Sequence, residues 1–137
     1  MKNNRLAVSI HILSLAALNP RDQLTSEFIA GSVQTNSVVI RRLTSELKKA
    51  GLLTSQPGIP GIKLTRSPSD ISLLDIYKAI QGYRESVFSI HQNPNPDCEV
   101  GANIQSTLDA TFHKVQETIE EELANQTLQN ILDHLFE

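Results

Sequence analysis

The chain has 137 residues, 39% hydrophobic and 20% charged, enough for one apolar core and too few for two independent ones. No apolar run approaches the roughly 18 residues of a membrane span, and a single cysteine, Cys98, excludes an intrachain disulfide and a multi-cysteine metal site. The net charge of −3 speaks against a polyanion partner only until the chain is divided: up to Arg66 nine Lys and Arg stand against three acids, and beyond it three stand against twelve, as expected of a polyanion-binding half joined to a solvating, partner-binding half.

The segment Leu6 to Leu18 follows a charged start, like a signal peptide, but it contains Ser9, His11 and Ser14 and has no small-x-small cleavage site. It is read instead as the first helix of a cytoplasmic protein. Leu6, Ile10, Leu13 and Ala17 form one row and Val8, Ile12 and Leu15 a second, so the helix is expected to be buried on most of its surface. Asn19-Pro20 ends it, and Arg21-Asp22-Gln23 is a polar turn. Thr25 or Ser26 caps a short second helix to about Ser32, and Asn36 caps a third that runs to Ala50, with Gly51 as its left-handed stop.

In the third helix Val39, Leu43, Leu47 and Ala50 are expected to face inward, leaving Ser37, Arg41, Arg42, Ser45, Lys48 and Lys49 outside. Leu52 to Ser55 is a strand, Pro57 to Gly61 a rigid turn, and Ile62 to Thr65 the returning strand. Three helices and a hairpin in this order make a winged helix. Ser72-x-x-Asp75 opens a fourth helix to about Gln81, its inner face Leu73, Ile76, Tyr77 and Ile80.

The run Asn93-Pro94-Asn95-Pro96-Asp97-Cys98 is neither regular helix nor central strand, and Gly101 is read as prolonging the break. From Ile104 a helix of about 20 residues is expected, with Ile104, Leu108, Phe112, Val115, Ile119 and Leu123 as one stripe. A last short helix around Leu128 to Phe136 is expected to fold over it. The expected class is mainly α with a small β-hairpin wing. A winged helix-turn-helix occupies residues 1–82, a linker 83–103 and dimerisation helices 104–137. The apolar stripe pairs two chains, because a lone helix leaves it exposed.

The recognition helix of a helix-turn-helix enters the major groove, where Arg forks onto guanine and short polar residues reach bases or phosphates. Arg41 and Arg42 are the leading candidates, Arg41 as base reader and Arg42 as phosphate grip. Ser26, Thr35, Asn36, Ser37, Ser45 and Lys48 complete the expected contact set, with Gly58 and Lys63 from the wing. The implied partners are double-stranded DNA and a second copy of the chain, with an effector or protein partner left open.

The helix Asn36 to Gly51, the following Leu52-Leu53-Thr54-Ser55, the Gly58/Gly61 wing and Asp70-Ile71-Ser72-Leu73-Leu74-Asp75-Ile76 together resemble the BadM-type winged-helix regulators that include IscR, NsrR and CymR. The runs Thr35-Asn36-Ser37-Val38-Val39-Ile40-Arg41-Arg42 and Asn93-Pro94-Asn95-Pro96-x-Cys98-x-Val100-Gly101 resemble its YwnA branch. The resemblance implies a transcriptional regulator that dimerises through its long C-terminal helix. Two departures qualify it. Members that hold a two-iron cluster use three linker cysteines where only Cys98 stands here, so no cofactor is expected. The wing reads Pro57-Gly58-Ile59-Pro60-Gly61 where relatives place an arginine for the minor groove.

Cys98 is either an ordinary loop cysteine or a redox or ligand sensor: a helix start lowers a thiol pKa, while Asp97 and Glu99 oppose this. His11 sits within the buried first helix and is read as a hydrogen-bonded core residue rather than a ligand, and His91, His113 and His134 lack ligand spacing, so no metal site is expected. There is no phosphate-binding glycine loop, nucleophile elbow or His-Glu protease pattern, so enzyme readings fare poorly and no enzyme is expected. The competing class is a protein-interaction adaptor that uses the winged helix as a docking surface.

Overall fold

The structure, a computed structural model, describes residues 4–81 and 87–137. Two units make up the chain: residues 1–81 with 123–137, and residues 82–122.

The first unit begins with helix α1 (Arg5–Leu18), whose Val8, Ile12 and Leu13 are buried. A 3-10 turn at Arg21–Gln23 leads to α2 (Ser26–Val33), capped by the Thr25 hydroxyl, which accepts the Phe28 N–H at 3.1 Å. Helix α3 (Ser37–Lys49) starts where the Asn36 side chain accepts the Val39 N–H at 3.0 Å. It ends in a paired closure, with Gly51 N–H on the Lys48 carbonyl and Leu52 N–H on that of Leu47, a Schellman stop with Gly51 at φ 81°.

The wing is an antiparallel pair, β1 (Leu53–Gln56) and β2 (Ile59–Leu64). Its turn is shorter than the expected Pro57-to-Gly61 span, because Gln56 already pairs with Ile59 and Pro57-Gly58, with Gly58 at φ 79°, form the two central residues of a type II turn. Pro60 and Gly61 instead belong to β2, in the stretch opposite the register shift between Thr54 and Gln56 of β1. Gly61 stands against the Arg21 carbonyl, which a Cβ would overlap. Its role is therefore to let the wing base approach the turn before α2.

After a second 3-10 turn at Pro68–Asp70, α4 (Leu73–Ile80) opens with the expected capping box between Ser72 and Asp75. Leu73, Ile76 and Ile80 enter the core, while Tyr77 is half-buried. The unit closes with α6 (Leu128–Leu135), where the fold departs from expectation. This helix packs on α1 and the 68–70 turn within the first unit, and Leu128 is fully buried among the winged-helix side chains.

In the second unit, helix α5 (Glu99–Asn125) begins five residues before the expected Ile104 and runs 27 residues, about 40 Å. Cys98 ends the linker as the helix cap, its carbonyl accepting the Ala102 N–H at 2.8 Å. Gly101 lies inside the first turn, not in a break. Its missing side chain admits the Asn95 carbonyl, which a Cβ would overlap. Phe88 packs on Phe112 with ring centroids 5.4 Å apart. The last residues of α5, from Leu123, belong to the first unit, so the expected boundaries at 83–103 and 104–137 do not coincide with the two units. Residues 82–86, which fall at the expected domain boundary, lie outside the described residues.

Candidate nucleic-acid interface

Burial on α3 sets which side chains point outward. The buried positions are Ile40, Leu43, Thr44 and Leu47, whereas Val39 is half-buried and Ala50 exposed. At about 100° per residue, this turns the inward direction toward Ile40 and away from the expected Val39–Leu43–Leu47–Ala50 stripe. The outward pole then falls between Ser45 and Arg42. Arg42 lies about 30° from it and Arg41 about 70°, which removes the reason for ranking Arg41 first as a base reader.

Arg41 instead lies on the flank toward the wing. There Ser26 of α2, Arg41, Ser45 and Lys48 of α3, and Gln56 and Ile59 of the wing line one open groove. Arg41 Nη1 donates to Ser37 Oγ at 3.3 Å, which lays the guanidinium along the helix. Among the described residues Arg41, Arg42, Lys48 and Lys49 are in no ion pair, so no described acid compensates their charge. The one acid of α3, Glu46, sits on the other flank and is held by Arg5 Nη2 at 3.2 Å. A concave basic surface beside a hairpin is suited to a polyanion.

Not all expected contact residues join this groove. The Asn36 side chain is occupied by its cap, Thr35 is half-buried, and Gly58 lies at the wing turn. Lys63 lines a separate hollow with Ala16, Asn19 and Arg21. Gln56 and Ile59 were not anticipated, because the wing turn was placed too far along the chain. A shorter Pro-Gly turn was the available signal.

In α5 no residue is buried. Ile104, Leu108, Phe112 and Ile119 are half-buried, and Val115 is exposed. Leu123, expected to extend this stripe, instead packs against the winged-helix core, because the end of α5 belongs with α6. Cys98 is exposed, and the N–H groups of Gly101 and Val100 lower its thiol pKa, the effect of a helix start on an anion. His11, half-buried, is within 2.9 Å of the Ser32 hydroxyl through Nε2.

The family model for Rrf2, described as an iron-dependent transcriptional regulator, matches residues 2–134. YwnA of Bacillus subtilis strain 168, which carries the name of an HTH-type transcriptional regulator, is 52% identical over 136 residues, 99% of this chain and 100% of that protein. A solved structure described as a DNA-binding protein has 48% identity and a TM-score of 0.78, covering 93% of this chain and 98% of that one. CymR of Bacillus subtilis, described as the global cysteine regulator, shares the fold at a TM-score of 0.66 and 18% identity, over 98% of this chain and 97% of its own.

The iron in the family description does not fit this donor set. A two-iron cluster takes four ligands, mostly thiolates, against one exposed cysteine per chain. Among the described residues no three His, Cys, Asp or Glu come together as a metal site, and no helix is long and apolar enough to cross a membrane. With a winged helix, a basic groove and relatives that are transcriptional regulators and not enzymes, this chain belongs to the Rrf2 family of transcriptional regulators.

Proposed function

We propose that the protein is a sequence-specific regulator that binds double-stranded DNA as a homodimer on a two-fold symmetric operator. One observation carries this reading: Ser26, Arg41, Ser45 and Lys48 share a groove with the wing, and its cations have no acid partner among the described residues. Helix α3 enters the major groove, Arg42 and Arg41 reach base edges and phosphates, and the wing follows the backbone. The Pro57-Gly58 turn carries no arginine, so the wing contributes Gln56 and Ile59 rather than a guanidinium.

The homodimer rests on α5. Its stripe of Leu108, Phe112, Val115 and Ile119 leaves apolar surface uncovered on a helix without a buried residue, and a second copy of the same helix is its symmetric complement. A dimer of this kind reads two half-sites about 10 base pairs apart or a multiple of that. Occupying an operator occludes a promoter, so repression is the proposed mode, in the cytoplasm where the chromosome lies. The signal is a small molecule or an oxidant acting without an iron-sulfur cluster, with Cys98 at the start of α5 as the proposed sensor position.

Selection of bound sequences from random duplex DNA, followed by affinity measurements across salt concentrations, tests the reading. The expected result is a palindromic consensus and an affinity that falls steeply with salt as counterions are released. Recovery of no consensus, with weak binding insensitive to salt, would overturn it.

A further inference from the structure

We propose that Val38 is a specificity-determining residue that reads the 5-methyl group of a thymine in the major groove. The proposal rests on the DNA-binding reading above and names one base feature that the recognition helix detects.

Three observations converge on Val38. It is the second residue of α3, in the first turn after the Asn36 cap, the part of a recognition helix that goes deepest among base edges. With Ile40, Leu43, Thr44 and Leu47 inward, it lies about 10° from the outward pole, closer than either arginine. It is also 54% exposed, more than Leu18 at 48%, Phe28 at 43% or Ile59 at 46%, the other large exposed apolar residues between positions 4 and 81.

Folding does not account for a valine at that place. A β-branched residue is a mediocre helix former, and the first turn favours groups that accept backbone N–H bonds or carry negative charge. Its side chain has no donor or acceptor for the hydrogen-bond pattern of the base pairs. The apolar feature of a major-groove edge is the thymine methyl, so the contact open to Val38 is with that group. A cytosine at the same place would leave its amino group against valine without a partner. The arginines three and four residues on, Arg41 and Arg42, flank this contact along the same side of the helix and supply the charged contacts.

Replacing thymine by deoxyuridine deletes only the methyl group, which makes the test specific. On the duplex selected by the wild-type full-length chain, thymines are replaced one at a time and binding is followed by fluorescence anisotropy. We expect one thymine per half-site at which the wild type loses affinity by about fourfold, the value of one buried methyl. Val38→Ser should bind the thymine and deoxyuridine duplexes equally at that position, and Val38→Ala should fall between. Because Val38 is exposed, thermal melting of both variants should match the wild type, which separates lost recognition from lost folding. A deoxyuridine effect of the same size in Val38→Ser, or no sensitive thymine in the wild type, overturns the proposal while leaving DNA binding intact. Failure of the wild type to select any duplex would overturn the underlying reading instead.

Discussion

Ser72 and Thr127, 55 positions apart in the chain, pair as an isolated antiparallel bridge, and each caps a helix with its own capping box. The Leu73 N–H donates to the Gln126 carbonyl at 2.8 Å and the Leu128 N–H to that of Ile71 at 2.9 Å. The starts of α4 and α6 are thus fastened back to back, which makes α6 part of the winged-helix core.

Leu128→Ala should therefore destabilise the DNA-binding unit by about 2 to 5 kcal/mol, the cost of a large-to-small change at a fully buried site. Thr127→Ala should cost about 1 kcal/mol through the lost cap. Chemical denaturation followed by circular dichroism measures both. Wild-type stability in Leu128→Ala would mean that α6 does not pack where it is placed.

The dimer proposal concerns a different surface. Val115→Asp with Ile119→Asp sets four like charges against one another across a symmetric pairing of α5, and each apolar side chain removed gives up roughly 1.5 to 3 kcal/mol of burial. Light scattering at micromolar protein should show the wild type as a dimer and the double variant as a monomer with unchanged helix content. A dimer of unchanged mass would place the interface elsewhere.

Cys98 should titrate below the ordinary thiol range, because the Gly101 and Val100 N–H groups favour its thiolate. A group whose folded pKa is depressed adds stability above its unfolded value and loses it as pH falls through the folded one. Relative to Cys98→Ser, the wild type should thus gain stability as pH rises from the lowered pKa toward the usual thiol value. The rate of iodoacetamide alkylation against pH gives the midpoint directly. A midpoint at or above that of a free cysteine would contradict the helix-start effect.

Purified without oxygen, the protein is expected to hold no iron-sulfur cluster, since one thiolate per chain cannot supply the ligands. Iron and sulfide analysis with a visible spectrum tests this. Stoichiometric iron and sulfide whose absorbance vanishes in Cys98→Ala would refute it.

What was legible in the sequence was local. Asn36 and the Ser72/Asp75 pair announced helix starts because a cap needs only neighbours three residues away, and the family resemblance spans the same residues that build the wing and α3. What was misread depends on distant partners. Gly61 looked like part of a turn, whereas its reason is the Arg21 carbonyl, and Gly101 looked like a breaker, whereas its reason is the Asn95 carbonyl. Val39 and Ile40 are adjacent and apolar, so the pattern alone left the inward face of α3 uncertain by one residue. That one residue decides which arginine points outward. The amphipathic pattern of α6 likewise shows which face is apolar but not which neighbour covers it.

The proposed grip of α3 on DNA through Arg41 and Arg42 is tested by an anisotropy titration of Arg41→Ala and Arg42→Ala on the selected duplex and on a scrambled one, at several salt concentrations. Both substitutions should weaken binding. Loss of a base contact should cost about 1 to 3 kcal/mol on the selected duplex alone, and loss of a phosphate contact should weaken both duplexes alike and reduce the salt slope by about one ion. Wild-type affinity in both variants on both duplexes would contradict the claim and favour a surface that docks protein rather than DNA.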